Sequence, residues 1–187
     1  NDGKRYTIEG PDKDTARWVG YFLINVPRSI KLALDAHNGP LDLRNVAGSI
    51  TAETVNGPIN IHHCSGDIVA NAQNGPVSVD AASGKVRIRV ENGPVDVQLA
   101  GTAWTGQGLD ASAQNGPISL KVPANYQSGI EVTSRGSGPF HCDTDACAGA
   151  NKDWDDSNRT VRLGRANETV VRMSTVNGPV SIMSAVQ

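Results

Sequence analysis

Aromatic side chains are scarce in this chain, at 4% of 187 residues, and neither sign of charge dominates: 17 basic against 19 acidic residues give a formal net charge of −2. A balance of that kind offers no field to draw in nucleic acid or an anionic membrane surface. Long apolar runs are missing too. The longest stretch, residues 18–24, is interrupted by Gly20 and falls far short of the ~20 residues that cross a bilayer. Cysteine is limited to three positions, too few for a disulfide-dense miniature fold. The chain does not open on Met, which leads us to expect a mature exported chain whose signal has been removed.

What the sequence has in quantity is Gly and Pro, 20 and 10 residues. They fall in a pattern. The triplets Asn38-Gly39-Pro40, Asn56-Gly57-Pro58, Asn74-Gly75-Pro76 and Asn92-Gly93-Pro94 are spaced by 18 residues, Asn115-Gly116-Pro117 follows after 23, and Asn177-Gly178-Pro179 after 62. Counting each Asn as position one, positions four and six are apolar in all six repeats, from Leu41 and Leu43 to Val180 and Ile182, with a polar residue between. Alternation of period two marks a strand with one buried face. A Gly at position eleven (Gly48, Gly66, Gly84) leads into a second alternating strand, such as Ile68 and Ala70. Each repeat is therefore strand, turn, strand, turn. Asn-Gly suits a corner that needs positive φ, and Pro, which lacks an amide donor, suits the first residue of a strand.

An antiparallel meander and a parallel solenoid could both use such a unit. Equal 18-residue steps favour the solenoid, in which equivalent residues superpose and the Asn side chains stack into a hydrogen-bonded ladder. The sequence thus predicts an all-β, two-sheet β-solenoid of about seven or eight 18-residue coils over residues 30–187. Residues 1–29 are expected to be an N-terminal cap or assembly segment, and residues 141–158 an irregular loop. Gly138-Pro139 reads as a degenerate corner with Phe140 at position four, and residues 101–108 as an insertion carrying Trp104.

The texture "NGPINIHHCSGDIVANAQNGPVSVDAASGKVRIRV", the entry "VPRSIKLALDAHNGP" and the closing "VVRMSTVNGPVSI" resemble a bacterial family of adhesin domains of unknown function that form toast-rack-like β-solenoids. The resemblance covers roughly residues 26–187. It implies export to the periplasm or cell surface and a non-catalytic scaffold, and it supplies no catalytic or binding residues.

Few residues stand out from the repeat. Cys142 and Cys147 are close enough to close a local disulfide in an exported chain. Cys64 falls at position nine beside Val46 and Ala82 and reads as a small core residue. His62 and His63, on a strand, point to opposite faces and cannot easily ligate one metal together, so they read as surface or turn histidines. Asp143, Asp145, Asp153, Asp155 and Asp156 crowd one polar stretch. A solvated acidic loop is the plain reading and a calcium site the sharper one, although the Gly and the terminal Glu of an EF-hand loop are missing. Asn158-Arg159-Thr160 and Asn167-Glu168-Thr169 match the N-glycosylation pattern.

From these features we expect a protein that is not an enzyme, needs no cofactor, and lies outside the cell or at its surface. The leading expectation is a structural, adhesin-like scaffold. Its open ends would stack into filaments through Trp18, Tyr21 and Phe22 at one end and the last coil, residues 171–182, at the other. The alternative is a periplasmic or surface module that binds a glycan or a protein.

Overall fold

The computed structural model describes residues 7–8, 20–81, 83–136, 138–164 and 168–185. Trp18, Ala82 and Asn167 lie outside the described residues. Sixteen strands follow in chain order: β1 (Ser29–Asn38), β2 (Leu41–Arg44), β3 (Ala47–Asn56), β4 (Ile59–His62), β5 (Ser65–Asn74), β6 (Val77–Ala81), β7 (Ser83–Asn92) and β8 (Val95–Leu99). They continue with β9 (Thr105–Asn115), β10 (Ile118–Val122), β11 (Gly129–Arg135), β12 (Phe140–Asp143), β13 (Asn151–Trp154), β14 (Asn158–Leu163), β15 (Thr169–Asn177) and β16 (Val180–Ser184). They form two sheets, a nine-stranded one built mostly of long strands (the long-strand sheet) and a seven-stranded one of four- or five-residue strands (the short-strand sheet). All pairings are parallel except those that β14 makes with β11 and β13. The fold is a β-solenoid of seven coils, each contributing one strand to each sheet.

The register is that of the repeat. Ile50 stands on Leu32, Ile68 on Ile50 and Val86 on Ile68. Inward side chains from both sheets fill one thin core, in which Ile59, Ile61, Ile68, Ile118, Leu120 and Ile182 are wholly buried. Cys64 is part of this core, and burial pushes its thiol above the ordinary range, so it is a poor nucleophile at neutral pH. At the corners the predicted ladder is present. Asn56 donates from Nδ2 to Asn38 Oδ1 at 3.0 Å, and the chain of bonds continues through Asn74, Asn92 and Asn115 to Asn177.

That last rung, Asn177 on Asn115, departs from chain order. The final coil, β15 with β16, does not end the stack. It lies between β9 and β11 in the long-strand sheet and between β10 and β12 in the short-strand sheet. After β10 the chain passes over one level, lays down β11 and β12, and only later returns to fill the gap. The six-residue link 123–128 spans the skipped level. Its Gln127 amide donates to Thr102 O at 2.8 Å, and its Ser128 Oγ accepts from the Trp104 amide at 2.9 Å. Trp104 is itself buried and donates from Nε1 to Gly84 O at 3.0 Å, which anchors the 101–108 insertion. The degenerate corner at Gly138-Pro139 stacks on Gly178-Pro179, and Phe140 pairs with Val180.

The stretch 141–158 is more regular than expected. It holds part of β12, a 3-10 turn at Asp145–Gly149 and β13. β13 was illegible because its four residues are all exposed and carry no apolar alternation. With β14 it makes an antiparallel hairpin across the last coil, and Val161 and Leu163 of β14 are buried. Arg162 bonds Glu131 at 2.8 Å, and the Arg159 guanidinium lies 5.6 Å from the Trp154 ring centre. The long-strand sheet is therefore extended by two strands at this end, with the four-residue β13 as its edge. The opposite end has no equivalent among the described residues. Tyr21 is 90% exposed and Phe22 55%, and most of the expected cap or assembly segment, residues 1–29, lies outside the described residues.

Candidate functional site

The acidic residues separate in space. Asp143 ends β12 in the short-strand sheet, whereas Asp153 lies on β13 in the long-strand sheet, 3.8 Å from Arg162 Nη1. Asp155 Oδ1 accepts from the backbone amides of Ser157 and Asn158, which lowers its pKa and makes it a turn residue. Asp145 begins the 3-10 turn, and Asp156 is exposed. Among the described residues no three His, Cys, Asp or Glu side chains are grouped to hold a metal ion. Cys142 and Cys147 are joined as a disulfide that ties β12 to that turn.

The histidines are surface and turn residues, as expected, and both meet one carboxylate through different groups. His63 is not on the strand. It sits in the corner after β4 with φ 52°, a left-handed conformation that His tolerates better than most residues. Asp80 of β6 accepts from the His63 amide at 2.6 Å, and His62 Nδ1 lies 2.8 Å from its other oxygen. A carboxylate can only accept, so that Nδ1 carries the proton. The pairing was legible in principle, because His62 and Asp80 both occupy position seven of their repeats. Burial alone would raise the Asp80 pKa. The His63 amide and the His62 ring outweigh it, and the net shift is downward. Asp80 thus adds stability above the ordinary carboxylate pKa, and that contribution disappears as pH falls through its lowered folded-state value. Asp80→Asn is expected to cost about 1 kcal/mol at pH 7, because this corner is partly solvated. The difference from the parent should shrink in urea titrations run below pH 4; a gap unchanged by acid would count against the assignment.

A larger feature crosses the outer face of the long-strand sheet. It is a shallow groove of about 670 Å³ running along the solenoid axis from Asp35 to Arg135. Its floor is position sixteen of the repeat, which places Asp35, Glu53, Asn71, Arg89, Ser112 and Ser174 on successive strands. Gln73, Glu91, Gln114 and Val176, two residues further along each strand, form one wall. From β1 to β11 there are six strand steps, so the groove is about 29 Å long. Asn71 Nδ2 donates to Glu53 Oε1 at 2.9 Å. Among the described residues, Arg89 and Arg135 form no ion pair, which leaves both guanidinium groups able to take a ligand. The groove was invisible in the sequence. The core imposes no residue type on outward positions, and only stacking turns position sixteen into a line.

No family model, curated protein or solved structure matches the chain.

Proposed function

We propose that this protein is a non-catalytic extracellular or periplasmic scaffold, adhesin-like in the manner of the bacterial solenoids its repeat resembles, and that its working surface is the position-sixteen groove. The observation that carries the reading is the groove itself. It is a continuous groove of mixed polar and apolar lining, about 29 Å long and at right angles to the strands, with side chains stepped at the ~4.8 Å strand spacing. A ligand that runs along the stack meets an acceptor at Glu53, a donor at Arg89, and at Asn71, Ser112 and Ser174 groups that can do either. That pattern suits an extended, hydroxyl-rich chain, and a glycan is the ligand class we favour. The filament form of the scaffold reading is less well supported, since head-to-tail stacking needs matching ends and the β13–β14 hairpin adds two strands to only one sheet at only one end.

The test is a glycan array followed by calorimetry on any polysaccharide retained. We expect micromolar binding that Arg89→Ala weakens about tenfold, the worth of one charge-assisted hydrogen bond. Lys121→Ala, on the short-strand sheet, should leave it unchanged. Binding that ignores Arg89, or no glycan retained, would remove the groove from the proposal.

A further inference from the structure

The two sheets end in four edge strands, and they are not alike. β2, β12 and β13 are four residues long, which is one of the ways natural sheets blunt an edge. β1 is ten residues long, pairs with β3 without a bulge, and has no proline. Among the described residues no strand pairs with its outer side. The coil behind it is also incompletely covered. Ile30, Leu32, Leu34 and Leu41 are only partly buried, whereas Ile50, Ile59 and Ile61, two of them at repeat positions equivalent to Leu32 and Leu41, are wholly buried. Just upstream, Tyr21, Phe22, Leu23 and Ile24 are all exposed, between 47% and 90%.

The free edge has a definite hydrogen-bonding polarity. The Arg28 carbonyl accepts from the Ala47 amide, so the even-numbered residues of β1 face β3. In a parallel pairing the alternate residues point both backbone groups the other way. Ser29, Lys31, Ala33, Asp35 and His37 therefore offer N–H and C=O to the open side.

We infer that β1 is the dimerisation edge of this protein, pairing antiparallel with β1 of a second copy about a two-fold axis through Ala33. The sequence of the strand is self-complementary in that register. Lys31 lies directly opposite Asp35 of the second copy, and Asp35 opposite its Lys31. Ser29 meets His37, Ala33 meets itself, and on the inner face Leu32 meets Leu34. Every pair with an odd number is a hydrogen-bonded pair, as the polarity of the edge requires. Shifting the centre to Lys31 would set two ammonium groups face to face, and centring on Asp35 two carboxylates. The axis stands perpendicular to the sheet, so both outer faces, with their grooves, look the same way. If the groove is the binding surface, the pair is bivalent; this consequence rests on that reading, whereas the dimer itself does not. A two-fold pairing also closes on itself, so the assembly stops at two copies.

Sedimentation velocity on the full chain across micromolar concentrations is the measurement, with circular dichroism to check that each variant keeps its β structure. A dimer is expected for the parent, weakening as salt rises. Lys31→Asp sets carboxylates opposite carboxylates at two symmetric places and should raise the dissociation constant at least about tenfold. The double variant Lys31→Asp with Asp35→Lys restores opposite charges and should recover the dimer. Ala33→Pro removes an amide that β3 does not use and should yield a folded monomer. A parent that stays monomeric overturns the inference, as does a dimer indifferent to Lys31→Asp and Ala33→Pro. Failure of the charge swap to rescue would overturn the register.

Discussion

Removal of residues 165–187 is expected to abolish the fold, even though it takes away only the last stretch of chain. In a solenoid whose coils follow chain order, a terminal coil contacts one neighbour, and its loss costs one interface. Here β15 and β16 fill the sixth level and contact two: β9 and β11 in one sheet, β10 and β12 in the other. Val171, Met173, Thr175, Val180 and Ile182 are all essentially buried there. Four apolar side chains at about 1.5–3 kcal/mol each amount to roughly 10 kcal/mol, and newly exposed faces of the adjacent coils add to it. A typical domain has only about 5–15 kcal/mol of net stability. Chain 1–164 should therefore show no cooperative thermal transition. Because the missing level is a slot between two formed walls, a synthetic peptide of residues 165–187 should bind it in trans and bring back the β signal at one-to-one stoichiometry. A truncated chain that melts within a few degrees of the parent would contradict the inserted order of the coils.

Gly75→Ala is expected to destabilise by about 3–5 kcal/mol, whereas Gly39→Ala, at the same repeat position, should cost only about 1 kcal/mol. Both glycines have positive φ, at 152° and 118°. What differs is what lies beneath. A Cβ on Gly75 would be 2.2 Å from Gly57 O, a backbone atom that cannot turn aside, whereas a Cβ on Gly39 meets nothing within 4 Å because no coil lies under it. The first substitution must force two coils apart at the Asn ladder, and the second adds only local backbone strain. Urea unfolding of the two variants against the parent measures the difference directly. Equal costs would mean that strain, rather than the close approach of stacked corners, requires glycine in this triplet.

The parts of the molecule that depend on repetition were written in the sequence. The 18-residue spacing of Asn38, Asn56, Asn74 and Asn92 places equivalent residues in register, and alternation at positions four and six decides which side chains enter the core. Cys64 could be assigned to the interior for that reason, and Gly138-Pro139 recognised as a worn corner. Elsewhere the repeat is silent. Outward positions are chemically unconstrained, so the groove through Asn71, Arg89 and Ser112 became visible only once the strands were stacked. His63 took a left-handed corner conformation, and that aimed its backbone amide at the carboxylate that His62 meets by register. The order of the coils was also beyond the sequence. A repeat makes its rungs interchangeable: Asn177 can bond Asn115 as readily as any other ladder Asn, and nothing in the spacing says which levels are neighbours. Tertiary structure decided it, through a six-residue link long enough to skip a level and a hairpin that extends one sheet at the end, leaving a buried slot that only the last coil remained to fill.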